Sequence, residues 1–130
     1  MTLQEQYQHL LTILREQWVT TLFQPIVSTV EKKIVGYEAL SRGPSNSPLH
    51  SPLMLFAAAR QHGLLTELEM LCRRNAVKQF MKQQLSGQLF LNVSPESLLE
   101  PSHSPGRTLT ILREMGLPAD RVVIDLTEQA

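Results

Sequence analysis

Residues 22–40 read LFQPIVSTVEKKIVGYEAL, and the fold follows from how that stretch divides. Residues 22–30 (LFQPIVSTV) and 33–40 (KIVGYEAL) are β-type runs separated by a short polar Glu31-Lys32 turn. A parallel crossover needs about a dozen residues or more, so the two runs pair as an antiparallel hairpin. Pro25 donates no N–H and belongs at a ladder edge or at a position that gives no hydrogen bond.

Upstream, residues 2–18 place Leu3, Tyr7, Leu10, Leu14 and Trp18 at steps of three and four, the stripe of an amphipathic helix. Its polar face is Gln-rich with a single Arg15, which suits packing on the following domain rather than a membrane surface. Downstream, residues 41–52 (SRGPSNSPLHSP) form an ordered loop with turn chemistry. Ser51 and Pro52 read as N-cap and first helical residue, with a helix over 53–61 stopped by Gly63. Thr66 and Glu69 have capping-box spacing and open a second helix over about 67–84, with Leu68, Leu71, Cys72, Val77 and Phe80 near one face. A strand over 88–94, a short helix at 95–99, a loop at 101–106, a helix at 108–115 and a strand over 121–127 complete the chain. From residue 33 onward, strands alternate with helices, which predicts right-handed crossovers and a parallel sheet. The chain stops just after an apolar strand, and such a strand normally has helices on both faces and a neighbour on each edge. The expectation is therefore the first part of a larger α/β domain.

Composition narrows the function. Of 130 residues, 42% are hydrophobic and 18% charged, enough for a core. Twelve Lys+Arg balance twelve Asp+Glu, so a DNA or RNA polymer held by its phosphates is not expected as a partner. One cysteine, Cys72, excludes a disulfide framework and reads as a small core residue. No apolar run approaches the ~18 residues of a membrane span, and no secretory signal opens the chain; the expected location is the cytoplasm.

Parallel α/β proteins gather functional groups at the carboxyl ends of their strands. Glu38 and Asn92 lie at two such ends and Glu128 just beyond a third. Gln24 reaches the same end of the sheet because its strand runs the other way. Alternation puts Glu38, Leu40 and Arg42 on one side. Two carboxylates and an amide oxygen suit a hard divalent cation such as Mg²⁺ or Mn²⁺. Such an ion polarises a phosphodiester and lowers the pKa of a bound water. Arg42 has the charge to hold a phosphate oxygen. Spacing alone leaves open the reading in which Glu38 and Glu128 are solvated strand ends and Asn92 caps a turn.

FQPIV (23–27), GYEALSRG (36–43), LFLNVSP (89–95) and VVIDLTEQ (122–129) occur in order, and together they resemble the first half of the EAL domain family of cyclic di-GMP phosphodiesterases. The resemblance implies a modified TIM-like (β/α)8 barrel with an antiparallel first strand, here a partial barrel truncated after about its fourth strand. It divides the chain into a lead-in helix, 1–21, and the first half of an EAL domain, 22–130. It implies Glu38, Asn92 and Glu128 as ligands of Mg²⁺ or Mn²⁺, with Glu38 also catalytic, and Gln24, Leu40 and Arg42 as substrate-binding. The implied reaction is metal-dependent hydrolysis of cyclic di-GMP to pGpG in a bacterial signalling protein. The alternative is an EAL-like module that binds cyclic di-GMP, or a protein partner, without turnover. The second-half groups of the family lie beyond Ala130, so the isolated chain is expected to be inactive, and its open sheet edges predict a homodimer or edge-strand association. Gly43 and the Pro/Ser-rich residues after it depart from the large residue that commonly follows the family arginine.

Other residues invite a site and are read as structural. Asp125 falls on the opposite side of its strand from Glu128 and reads as a supporting residue. His9, His50, His62 and His103 lack ligand spacing and read as surface histidines. Arg73, Arg74, Lys78 and Lys82 read as a solvated helix face, and Asp120-Arg121 as a turn.

Overall fold

The computed structural model describes residues 1–99 and 106–126; Glu128, His103 and most of the expected loop at 101–106 fall outside the described residues. Helix α1 (Leu3–Glu16) is followed by strands β1 (Thr20–Ser28) and β2 (Lys33–Arg42), then by helices α2 (Pro52–Gln61) and α3 (Leu65–Lys82). Strand β3 (Gln88–Val93), helices α4 (Pro95–Leu98) and α5 (Arg107–Met115), a 3-10 turn (Ala119–Arg121) and strand β4 (Val122–Leu126) follow. The sheet order is β1-β2-β3-β4. The β1–β2 pair is antiparallel and the other two pairs are parallel, as the hairpin and the alternation require. Among the described strands β1 has one neighbour, so Pro25 sits on an edge strand, where its missing N–H costs little.

The hairpin turn is wider than a Glu31-Lys32 corner. Ser28 closes it by accepting from Glu31 N (3.1 Å) and Lys32 N (2.8 Å), and Lys32 takes a left-handed φ of 55°. Val30 is thereby turned out into solvent. α1 starts on a capping box absent from the sequence reading: Thr2 Oγ1 accepts from Glu5 N (3.0 Å) and Glu5 Oε1 from Thr2 N (3.1 Å). It ends at Gln17 with φ 59°, so Trp18 lies beyond the helix. The stripe that packs is Leu10 and Ile13, while Leu3 and Trp18 remain exposed. α2 begins as expected, with Ser51 Oγ accepting from Met54 N.

The capping box expected at Thr66 and Glu69 does not form. α3 starts at Leu65, its N-cap Leu64 has no side-chain cap bond, and both Thr66 and Glu69 are buried. Glu69 instead accepts the N–H and O–H of Ser94, twenty-five residues on.

Among the described residues, α3 and α5 pack on one face of the sheet. Ala39, Leu89 and Leu91 meet Ala76, Val77 and Phe80 of α3 and Ile111 and Leu112 of α5. A second cluster joins Leu10 and Ile13 of α1, Leu55 and Ala59 of α2, and Leu68 and Cys72 of α3. Each fully buried Leu, Ile, Val or Phe side chain here contributes about 1.5–3 kcal/mol. α3 belongs to both clusters and joins them. Arg121, expected merely in a turn, fastens the lower end of the sheet by donating to Leu85 O (2.9 Å) and Gly87 O (2.8 Å), with its guanidinium 5.1 Å from the Phe80 ring centre.

Candidate active site

The alternate residues of the same strands make the opposite face. In the β1–β2 register Gln24 pairs with Glu38, Leu22 with Leu40 and Thr20 with Arg42. Cα partners point to the same side, so Gln24, Glu38, Leu40 and Arg42 share this face. Glu38 in turn pairs with Phe90, two residues before Asn92. Gly36 lets β3 approach: a Cβ there would lie 2.5 Å from Gln88 O and 2.9 Å from Phe90 Cε1.

The strand ends bring Glu38 and Asn92 into direct contact. Asn92 Nδ2 donates to Glu38 Oε2 (3.1 Å) and to Ala39 O (3.3 Å). Turning the amide over would set its oxygen against two acceptors, so these bonds fix Asn92 Oδ1 pointing away from them. Among the described residues, buried Asn92 Oδ1 has no hydrogen-bond partner. A buried acceptor left unpaired costs on the order of 1–3 kcal/mol, and a cation would satisfy it. The residues present therefore fit a hard divalent ion, with Glu38 and Asn92 as its oxygen donors. A cavity of about 260 Å³ opens at this point, lined by Glu38, Leu40, Arg42 and Asn92 and reaching inward to Glu69 and Arg73.

Five of the six residues read as site residues, Gln24, Glu38, Leu40, Arg42 and Asn92, lie on this face; Glu128 lies outside the described residues. Among the described residues no three His, Cys, Asp or Glu side chains cluster as a metal site. Asp125, read as a supporting residue, also lies on this face. The β3–β4 register pairs Asn92 with Asp125, which puts Asp125 on the face of Glu38. Counting across the parallel ladder from Asn92, instead of along the strand from Glu128, would have found it.

One further expectation is corrected. Arg73 is not solvated: it is 4% exposed, donates to Thr108 Oγ1 (2.9 Å) and lies 3.6 Å from Glu69. Burial lowers its pKa, and the Glu69 carboxylate opposes that shift. Arg74, one residue on, is at the surface, paired with Glu114. The described histidines, none of them buried, also make hydrogen bonds. His9 bonds Ser47 Oγ (2.6 Å) and His62 bonds Gln6 Oε1 (2.8 Å), tying α1 to the loop at 43–50 and to α2. His50 closes that loop on Gly43, both through Gly43 N to His50 O (2.9 Å) and through Nδ1 to Gly43 O (3.0 Å). A Cβ on Gly43 would collide with Leu49 O, which explains why glycine follows Arg42 in this chain. Cys72 is a core residue, as expected; burial foremost, then Glu69, pushes its thiol up to about 12.

An antiparallel first strand followed by parallel ones is the order that the resemblance to EAL domains implies. The EAL domain family matches residues 4–130, and the chain belongs to that family. The probable cyclic di-GMP phosphodiesterase PdeI of Escherichia coli (strain K12) is 35% identical over 114 residues, which is 82% of this chain and 14% of that protein. The Xanthomonas citri FimX EAL domain, solved in complex with c-diGMP, superposes with a TM-score of 0.74 at 22% identity, over 97% of this chain and 50% of its own. Klebsiella pneumoniae BlrP1, solved as a manganese/cy-diGMP complex, gives 0.71 at 27% identity, over 86% of this chain and 28% of its own. The fold is thus a partial (β/α)8 barrel of EAL type, and the chain spans half or less of each of these proteins. Among the described residues no helix is long and apolar enough to cross a membrane.

Proposed function

We propose that this chain supplies the first-half rim of a domain that binds cyclic di-GMP and hydrolyses one of its phosphodiesters to pGpG in the bacterial cytoplasm. The observation that carries the reading is the unpartnered Asn92 Oδ1 held beside Glu38 in a cavity that Arg42 lines. Glu38 and Asn92 would hold Mg²⁺ or Mn²⁺. When bound, that ion polarises the phosphodiester and acidifies the attacking water. Arg42 would orient a non-bridging phosphate oxygen by charge-assisted hydrogen bonds. Leu40 would give the nucleotide an apolar wall, and Gln24, opposite Glu38, a hydrogen-bonding group. The third carboxylate is Glu128 by resemblance or Asp125 by register, and Asp125→Asn against Glu128→Gln distinguishes them by which one loses Mn²⁺ affinity.

The proposal takes 1–21 as the lead-in helix and 22–130 as half of the barrel. Because the chain spans about half of a solved EAL domain, turnover needs groups from the rest of a barrel. The 130-residue chain alone is expected to give no pGpG, and any pGpG formed by it would overturn that part. The test of the main reading is to incubate the complete domain with cyclic di-GMP and Mg²⁺ or Mn²⁺ and follow pGpG; binding without turnover would overturn hydrolysis. That outcome would support the second reading, a domain that binds without cleaving, which Gly43 and the loop closed on it by His50 favour as a departure from the residue that commonly follows the family arginine. Association through the sheet edges with a second copy belongs to the same proposal, and a stable monomer in sedimentation at high concentration would overturn it.

A further inference from the structure

Glu69 is 3% exposed and Ser94, two residues after Asn92, is fully buried. An ionised carboxylate in that position is costly unless its oxygens are all used. Glu69 Oε1 accepts from Ser94 N (3.2 Å) and Oε2 from Ser94 Oγ, while Arg73 supplies the opposing charge at 3.6 Å. Ser94 has a single hydroxyl proton. With that O–H directed at Glu69, an Oγ lone pair accepts from Ser97 N (3.2 Å), which caps α4. The carboxylate thereby fixes the strand-to-helix turn that leaves β3, from a helix that belongs to both core clusters. Arg73 carries the same network on to α5 through Thr108.

We infer that Glu69 is a positioning residue for Asn92, acting through Ser94. By clamping the backbone N–H and the hydroxyl of Ser94 it sets the end of β3, so that Asn92 presents Oδ1 to the rim and Nδ2 to Glu38. A generic packing role would call for an apolar side chain, since replacing a buried ion pair by well-packed hydrophobic residues is often neutral or stabilising. The polar solution is kept where the turn beside Asn92 must adopt one geometry.

The cation at Asn92 rests on the function proposed above, but the orientation of Asn92 does not, and the test separates them. In the free chain, the side-chain amide signals of Asn92 report its bonds to Glu38 and Ala39. Glu69→Gln and Ser94→Ala are expected to shift those signals, whereas Thr108→Val, at the far end of the network, is expected to leave them in place. Ser94→Ala keeps the Glu69–Arg73 pair and so decides the question if Glu69→Gln does not fold. A folded Ser94→Ala chain with unmoved Asn92 signals would overturn the inference. With Mn²⁺ as the probe, Ser94→Ala should weaken binding by ~10- to 100-fold and Thr108→Val should not. If the unmodified chain takes up no Mn²⁺, the proposed metal site fails while the Asn92 signals still decide the role of Glu69.

Discussion

The two faces of one sheet are built from the same strands and differ in almost everything else. On the covered face, Leu89 is fully buried, and Ala39 and Leu91 close against α3 and α5. On the open face, Leu22 is 54% exposed, Gln24 is exposed, and Asn92 keeps an acceptor without a partner. A period of two lets neighbouring residues serve opposed requirements. The covered face is optimised for burial, and the open one retains polar groups that folding does not need.

That contrast is open to attack by substitution. Phe80→Ala, beneath the covered face, is expected to lose about 3–5 kcal/mol in urea unfolding. Glu38→Ala should hardly move the unfolding midpoint yet weaken Mn²⁺ binding about 100-fold, equivalent to about 2.7 kcal/mol, in titration calorimetry. A large loss of stability from Glu38→Ala would erase the division between the faces. Ser51→Ala, which removes the α2 cap away from both faces, should cost about 1 kcal/mol and leave Mn²⁺ binding unchanged. The smallest effect is expected from Cys72. Its folded pKa is raised to about 12, so its contribution to stability is complete below the unfolded thiol's value of about 8.5 and falls as pH climbs towards 12. Measured from pH 8 to 10, the native chain should lose more stability than Cys72→Ala; equal slopes would remove that contribution.

The hairpin, the parallel order and most helix ends were legible because each has a local cause: Pro25 at an edge, Ser51 before Pro52, Gly63 and Gly116 with positive φ at helix stops. The face shared by Gln24, Glu38, Leu40 and Arg42 followed from alternation along single strands. What escaped depends on partners distant in sequence. Glu69 satisfies a local capping spacing, but Ser94 offers two donors that only the folded chain brings near. Arg73 resembles its exposed neighbour Arg74, and only the crossing of α5 buries it. Asp125 needed the register between β3 and β4, which no periodicity within one strand contains.

The strands lie side by side in the order in which they occur along the chain. During synthesis, each later strand therefore emerges when the edge it will occupy has already left the ribosome, and no earlier strand has to part to admit it. The order along the chain suits growth of the sheet in one direction, from the hairpin outward, with α3 preceding β3 in the chain. An assembly of this kind is extended by addition at its leading edge, and β4 is the described strand that presents that edge.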